Sequence, residues 1–287
     1  MISIERVARM RAEAELVRER GAVVGLVPTM GFFHEGHLAL MRQARKDCGF
    51  VVVSLFVNPT QFGPGEDLAT YPRNFERDCE LARREGVDAI FAPQPGEMYA
   101  ADSSTFVNVE GVSAGLCGAS RPGHFRGVAT VVSKLFHICR PHRAYFGLKD
   151  YQQVRVIETM IRDLNLDVQL VRCPIVREPD GLAMSSRNSY LSPEERRAAT
   201  VLRRSLVEAC RSIEQGERDA AAAGLGLRKT IESEPLARVE YAEVVDPVSL
   251  QPLREIAGEA LLAVAVRFGR TRLIDNLLVT GGHPEPV

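Results

Sequence analysis

AVVGLVPTMGFFHEGHLALMRQA, residues 22–44, is the stretch on which the fold turns. Ala22 to Val27 is a short apolar run that predicts a buried strand, and Pro28, which lacks an N–H, stops it. Gly36 to Ala44 then reads as a helix. Between them Pro28-Thr29-Met30-Gly31-Phe32-Phe33-His34-Glu35-Gly36-His37 forms a strand-to-helix loop. In a parallel sheet, the carboxyl end of a strand opening onto a helix N-terminus is where phosphates bind. Gly36 allows close backbone approach to a triphosphate and lets His34 and His37 point at it from the helix start. Taken alone, the two histidines also read as capping or surface residues of a turn. The spacing argues against a metalloprotease, since H-E-x-x-H is needed and H-E-G-H is present. No G-x-G-x-x-G follows the strand, which argues against a Rossmann dehydrogenase.

Working outward, Ser3 caps an expected helix with the stripe Ile4, Val7, Met10, Ala14, Val17, ended by Gly21. Phe50 to Val57 is a valine-rich strand suited to burial on both faces. A long loop follows with Pro59, Gly63, Pro64, Gly65 and Pro72. Helices are predicted over 74–85, 126–138 and 151–163, and strands over 88–92, 144–146 and 167–173. This alternation implies a Rossmann-like α/β domain, a parallel sheet covered on both sides. After Val176 the pattern changes. Pro193 to Gln215 predicts one long charged helix, an alanine-rich segment leads to another near Ile231, and three strand-like runs cover 239–245, 261–268 and 273–279. The expected division is therefore 1–175 and a smaller α+β lid domain, 176–287, joined at a hinge.

The chain has 287 residues, 45% hydrophobic and 25% charged, with 36 Lys plus Arg against 37 Asp plus Glu. That composition excludes a disordered or collagen-like chain. The balanced charge argues against nucleic acid and for small-molecule partners. No apolar run approaches the roughly 20 residues of a membrane span. Glu5, Glu13, Glu15 and Glu19 lie among arginines in the first twenty residues, with no apolar core, so neither a secretory signal nor a transit peptide is expected. The six cysteines are never within four residues of one another, so no zinc or redox pair is expected, and a cytoplasmic location is.

Two more loops carry chemistry. Gly147-Leu148-Lys149-Asp150 follows a strand and precedes a helix; Lys149 offers a point charge for phosphate and Asp150 a cap or a hydroxyl acceptor. Met184-Ser185-Ser186-Arg187 follows the Pro179-Asp180-Gly181 turn, and its hydroxyls and guanidinium suit a flap over phosphates. Singly, each also reads as an ordinary turn or solvated loop.

Together, H-x-G-H and Met-Ser-Ser-Arg resemble the HIGH and KMSKS signatures of the nucleotidyltransferase superfamily. More narrowly, the runs 27–40, 56–63, 121–132, 145–153 and 176–191 resemble the pantoate–β-alanine ligase family, in that family's order. The resemblance implies ATP-dependent condensation of pantoate with β-alanine through a pantoyl adenylate, with AMP and pyrophosphate released. It implies ATP contacts from Met30, Gly31, Phe32, Phe33, His34, Glu35, Gly36, His37, Gly147, Leu148, Lys149, Asp150, Val176, Met184, Ser185, Ser186 and Arg187, with His37 the catalytic proton donor. Gln61 and Gln153 match its pantoate positions, and Gln61 also its β-alanine position. A neutral amide orients a carboxylate without withdrawing the charge that makes it attack, as an arginine would. Asn58, Arg121 and His124 fall in matching segments as supports. The resemblance further implies Mg²⁺ with ATP and a homodimer. Asp78 is a candidate Mg²⁺ ligand or else a surface carboxylate, although Arg77 and Leu81 stand where polar helpers are expected. Phe32 and Phe33 replace smaller residues and are expected to reshape the wall of the ATP loop. Two other readings remain at this stage: a transferase that leaves its acceptor nucleotidylated, and a nucleotide-sensing module without turnover.

Overall fold

The computed structural model describes residues 1–280 and 283–284, so the last residues of the expected smaller domain, 281–282 and 285–287, lie outside the described residues. The chain divides into two units: residues 1–109, 121–148 and 153–173 form one, and 110–120, 149–152 and 174–287 the other.

In the first unit the elements run β1 (Ile2–Ile4), α1 (Val7–Glu19), β2 (Val24–Thr29), α2 (Glu35–Asp47), β3 (Phe50–Leu55), α3 (Phe75–Arg84), β4 (Ala89–Phe91) and α4 (Pro95–Met98). After α5 (Cys117–Ser120), which belongs to the second unit, come α6 (His124–Cys139), β5 (Arg143–Gly147), α7 (Tyr151–Asp163, its first two residues in the second unit) and β6 (Gln169–Cys173). The sheet is all parallel in the order β1-β4-β3-β2-β5-β6. The chain builds outward from β2 through β3 to β4, then returns to lay β5 on the other side of β2. The β2/β5 junction is thus the topological switch point, where open α/β sheets bind ligands beyond the strand ends.

Two expectations are corrected here. Ile2–Ile4 is not the start of a helix; it is a strand parallel to β4, with Ile2 N donating to Asp88 O at 2.8 Å and Ala92 N to Ile4 O at 2.8 Å. Ile4 fits both a helical stripe and a strand, and the open edge of β4 decides. The helix starts at Val7, and its N-cap is Arg6, not Ser3. Pro28 does not end β2 either, since Pro28 pairs with Ser54 and Thr29 with Leu55. Thr29 O faces β3, where it accepts from Phe56 N, so Pro28 turns its nitrogen to the β5 side. There the pairing stops at Leu26, and no ladder donor is missed.

His142, one residue before β5, stitches that same junction: its Nδ1 accepts from Val24 N at 2.9 Å, which requires a neutral ring. Burial lowers its pKa, Arg18 and Arg143 add to the effect, and Asp167 opposes it. A folded-state pKa below the unfolded value of about 6.5 stabilises the fold above that pH, and the contribution is lost as pH falls through the folded pKa. The melting temperature should therefore drop between pH 7.5 and pH 5, and His142→Asn should flatten that slope. Equal slopes in thermal melts of the two proteins would refute this.

In the second unit α8 (Pro193–Ala198), α9 (Val201–Glu214) and α10 (Ala220–Glu232) precede an antiparallel sheet of β7 (Ala237–Val245), β8 (Ala260–Phe268), β9 (Thr271–Thr280) and the two-residue β10 (His283–Pro284). The single helix expected over 193–215 is broken after Ala198. Thr200 Oγ1 donates back to Arg197 O at 2.8 Å and Leu202 N reaches only to Ala199 O, an i-to-i−3 turn that interrupts the α-helical ladder. The helices cover one face of the sheet, where Leu202, Leu206, Leu227, Ile231, Leu262, Val264 and Phe268 make the core. Asp219 caps α10 through the N–H groups of Ala221 and Ala222.

Candidate active site

The loop that leaves β2 turns through two left-handed residues, Gly31 (φ 88°) and Phe32 (φ 52°). Glycine is required at the first, because a Cβ there would also stand 3.1 Å from Asp78 Oδ2 and from Leu55 Cδ2. Phenylalanine at the second is strained, and the turn is held by Asp78 of α3. Its Oδ2 accepts from Phe32 N at 2.7 Å and its Oδ1 from Phe33 N at 2.8 Å. Arg77 closes the other side by donating to Phe33 O at 3.0 Å, with its guanidinium 5.5 Å from the Phe32 ring centroid. Phe33 is buried in the core under α2, and only Phe32 is left to line the loop.

Asp78 is 0% exposed, which corrects the surface-carboxylate reading, and each of its oxygens accepts from a backbone N–H group. Burial raises its pKa; the N–H donors of Phe33 and Phe32 and the charge of Arg77 pull the other way. Asp78→Asn keeps one acceptor and turns an amide N–H toward a backbone N–H. It should cost about 1–2 kcal/mol of stability and loosen the loop. Chemical denaturation checks this, and an unchanged midpoint would count against the anchoring role.

Just downstream, His34 is the N-cap of α2. Its Nδ1 accepts from Gly36 N at 3.1 Å, while His37 Nδ1 accepts from His34 N at 3.3 Å, a reciprocal box. Accepting at Nδ1 places the proton of each neutral ring on Nε2. The ring centroids lie 4.1 Å apart, and His37 also packs 5.6 Å from Phe33. Glu35 pairs with Arg42 two helical turns on, and Arg42 also meets Glu85. Two Nε2–H donors thus share the first turn of α2, whose N-terminus carries partial positive charge.

Gln61 ends a short 3₁₀ turn, Pro59–Gln61, beyond β3. Its Nε2 donates to Met30 Sδ at 3.0 Å and its Oε1 accepts from Asn58 Nδ2 at 3.1 Å, which joins this turn to the β2 loop. Asn58, 0% exposed, is the hub. Asn58 Nδ2 also donates to Gly127 O at 3.1 Å, and its Oδ1 accepts from Tyr99 OH at 2.9 Å and Thr60 Oγ1 at 3.0 Å. The Gln61 carbonyl accepts from His124 Nδ1 at 2.8 Å and Arg121 Nη2 at 3.3 Å. Arg121 is set by a two-point pair with Glu66, at 2.7 and 2.6 Å, which holds the Glu66 carboxyl below its usual range against the upward push of burial. Asn58, Arg121 and His124 are thus backbone and side-chain supports of Gln61. Gln153, on α7, is half-buried and makes no side-chain hydrogen bond among the described residues. Leu148 follows β5 directly, after Gly147.

In the second unit, residues 176–184 fold as a tight hairpin. Met184 N donates to Val176 O at 3.0 Å and Glu178 N to Leu182 O at 2.8 Å, with Gly181 (φ 90°) at the turn. Val176 and Met184, named separately from the sequence, are therefore opposite each other. Ser185 caps the 3₁₀ turn Ser186–Tyr190 by accepting from Arg187 N at 3.2 Å, and Ser186 is buried. Lys149 Nζ stands 3.7 Å from Asp150 Oδ2, and its carbonyl accepts from Asn276 Nδ2 at 3.0 Å. Sequence reasoning missed Tyr99, Glu66, Gly127 and Asn276; only Gly127 lies in a matching segment, and each acts on a residue far along the chain. Among the described residues no three His, Cys, Asp or Glu side chains gather as a metal cage, and no helix is long and apolar enough to cross a membrane.

Comparison with known proteins covers nearly the whole chain. A family model described as pantoate-beta-alanine ligase matches residues 2–278. A pantothenate synthetase of Heliobacterium modesticaldum is 57% identical over 276 residues, 96% of this chain and 98% of that protein. One from Acetivibrio thermocellus is 54% identical with the same coverage. The crystal structure of pantothenate synthetase from Thermus thermophilus matches with a TM-score of 0.92 at 49% identity, over 98% of this chain and 100% of that one. A pantoate-beta-alanine ligase from Francisella tularensis, complexed with beta-gamma ATP and beta-alanine, matches with a TM-score of 0.80 at 31% identity, over 99% of this chain and 100% of that one.

Proposed function

Since this chain belongs to the pantoate–β-alanine ligase family, we propose that it condenses pantoate with β-alanine through a pantoyl adenylate. In the first step a pantoate carboxylate oxygen attacks the α-phosphorus of ATP; the new P–O bond forms as the bond to pyrophosphate breaks. Carboxyl groups titrate near 4, so no base is needed to make this nucleophile. In-line positioning and neutralisation of charge building on the phosphates are what the protein must supply. The Nε2–H groups of His34 and His37 are donors for that charge, with His37 the proton donor, and Met30 to Gly36 line the nucleotide. Gly147 to Asp150, Val176 and Met184 to Arg187 carry the remaining ATP contacts, Lys149, Ser185, Ser186 and Arg187 being the groups suited to phosphate oxygens.

In the second step the amine of β-alanine attacks the acyl carbon, the C–N bond forms, AMP leaves, and nitrogen gives up a proton. With an amine pKa near 10, about one molecule in a thousand is neutral at pH 7, so the site must select or deprotonate it. Gln61 and Gln153 orient pantoate, and Gln61 also β-alanine. Mg²⁺ enters with ATP as part of the substrate, since Mg²⁺ commonly keeps its waters and leans on phosphates. A homodimer through the larger unit and a cytoplasmic location complete the proposal, the former testable by sedimentation.

The observation that carries this reading is the His34–His37 box, two Nε2–H donors fixed on a helix N-terminus at the sheet's switch point. The deciding experiment supplies pantoate, MgATP and β-alanine and follows AMP and pantothenate, with β-alanine omitted in a second arm. Pantothenate with one AMP per turnover is expected. A nucleotidylated acceptor that accumulates in the presence of β-alanine without pantothenate, or no AMP and no pantothenate, overturns it.

A further inference from the structure

Asp275 and Asn276 are consecutive on β9, so their side chains leave opposite faces of the sheet. Both are buried, at 2% and 6% exposure. On the helix-covered face Asp275 pairs at two points with Arg177, Nη1 to Oδ2 at 2.7 Å and Nη2 to Oδ1 at 2.9 Å. The same Nη1 donates to Gly181 O at 3.0 Å, across the turn of the hairpin that sets Met184 opposite Val176. On the other face Asn276 Nδ2 donates to Lys149 O at 3.0 Å, and Asn276 N donates to Asp275 Oδ1 at 2.8 Å. One dipeptide therefore grips two loops that lie 98 and 127 residues away from it along the chain.

We propose that Asp275 and Asn276 are positioning residues for ATP, with β9 acting as a common rigid base for the Lys149 loop and the Val176–Arg187 segment. This rests on the reading that both segments bind ATP. Donors stabilise developing charge only when they are aimed beforehand, and a loosely held loop must be ordered at the expense of affinity. Its side-chain amide holds the main chain of the one lysine in the Gly147–Asp150 motif, as the Asn276 Nδ2 bond to Lys149 O shows.

Asn276→Leu and Asp275→Asn in the full-length protein test the idea by calorimetric titration with MgATP and, separately, with pantoate, alongside melting temperature. Asn276→Leu should weaken MgATP about tenfold or more, the equivalent of roughly one lost hydrogen bond, and leave pantoate affinity within about twofold. Asp275→Asn should shift in the same direction. Because it strands Arg177, Asp275→Asn risks unfolding, in which case Asn276→Leu, which keeps the ion pair, decides alone. Unchanged MgATP affinity, or equal losses for MgATP and pantoate, overturns the proposal, and so does a wild-type protein that fails to bind MgATP. Wild-type binding of MgATP without pantothenate formation would sink the reaction proposed above and still leave this comparison decisive.

Discussion

His37→Ala is expected to lower turnover by about 10² or more, the scale seen when one positioned donor to developing charge is removed. Two effects have to be separated. The imidazole is a donor through Nε2, and through Nδ1 it is also half of the box that caps α2. Loss of a cap costs about 1 kcal/mol of stability and would lower the melting temperature without a selective effect on rate. His37→Gln separates them, because glutamine at N3 can still accept from the N-cap N–H. It should restore the melting temperature while AMP release at saturating pantoate and MgATP stays far below wild type. Near-wild-type turnover in His37→Ala would remove His37 from the chemistry.

Gly127→Ala should be the most disruptive small substitution in the first unit. A Cβ at residue 127 would stand 2.3 Å from Thr60 O, 2.6 Å from Thr60 C and 2.7 Å from Gln61 Cα. Those atoms are backbone, so no side-chain rotation relieves the clash; either α6 or the 59–61 turn must move. Overpacking of this kind costs typically 1–3 kcal/mol, and a backbone-to-backbone clash belongs at about 3. The Gly127 carbonyl is also an acceptor for Asn58, so displacement of the turn carries Gln61 with it. Denaturant titration should show the lost stability, and the surviving folded protein should show kcat/KM for pantoate depressed by about tenfold or more, in keeping with over 1.4 kcal/mol of lost transition-state contact. A melting temperature and pantoate dependence like those of wild type would show that the approach of α6 to this turn does not fix Gln61.

Much of the fold was readable because its signals are local. A valine run, a proline-glycine loop and a 3.6-residue stripe each report on a few neighbouring residues, and their alternation is enough to specify a parallel sheet. At two positions the local signals tie. Ile4 suits a helix or a strand, and only the open edge of β4 chose between them. Pro28 should have ended β2, but the side its nitrogen faces is unpaired. Of the site, the H-x-G-H loop was visible as a strand-to-helix junction, and Val176 and Met184 were named without any sign that they face each other. Asp78 shows the limit most clearly, because as an acid in a charged helix it has the sequence character of a surface residue. In three dimensions it is the acceptor that two backbone N–H groups of a strained turn require.

By itself, then, the sequence determined the α/β class, the smaller α+β unit and the donor types at three loops, since these follow from short-range periodicity and residue chemistry. Tertiary structure alone decided which groups hold those loops in place: Asp78 under Phe32 and Phe33, Gly127 against Thr60, Asp275 and Asn276 beneath two separate segments. A buried acceptor finds its donor by packing, and packing brings together residues that no spacing along the chain relates.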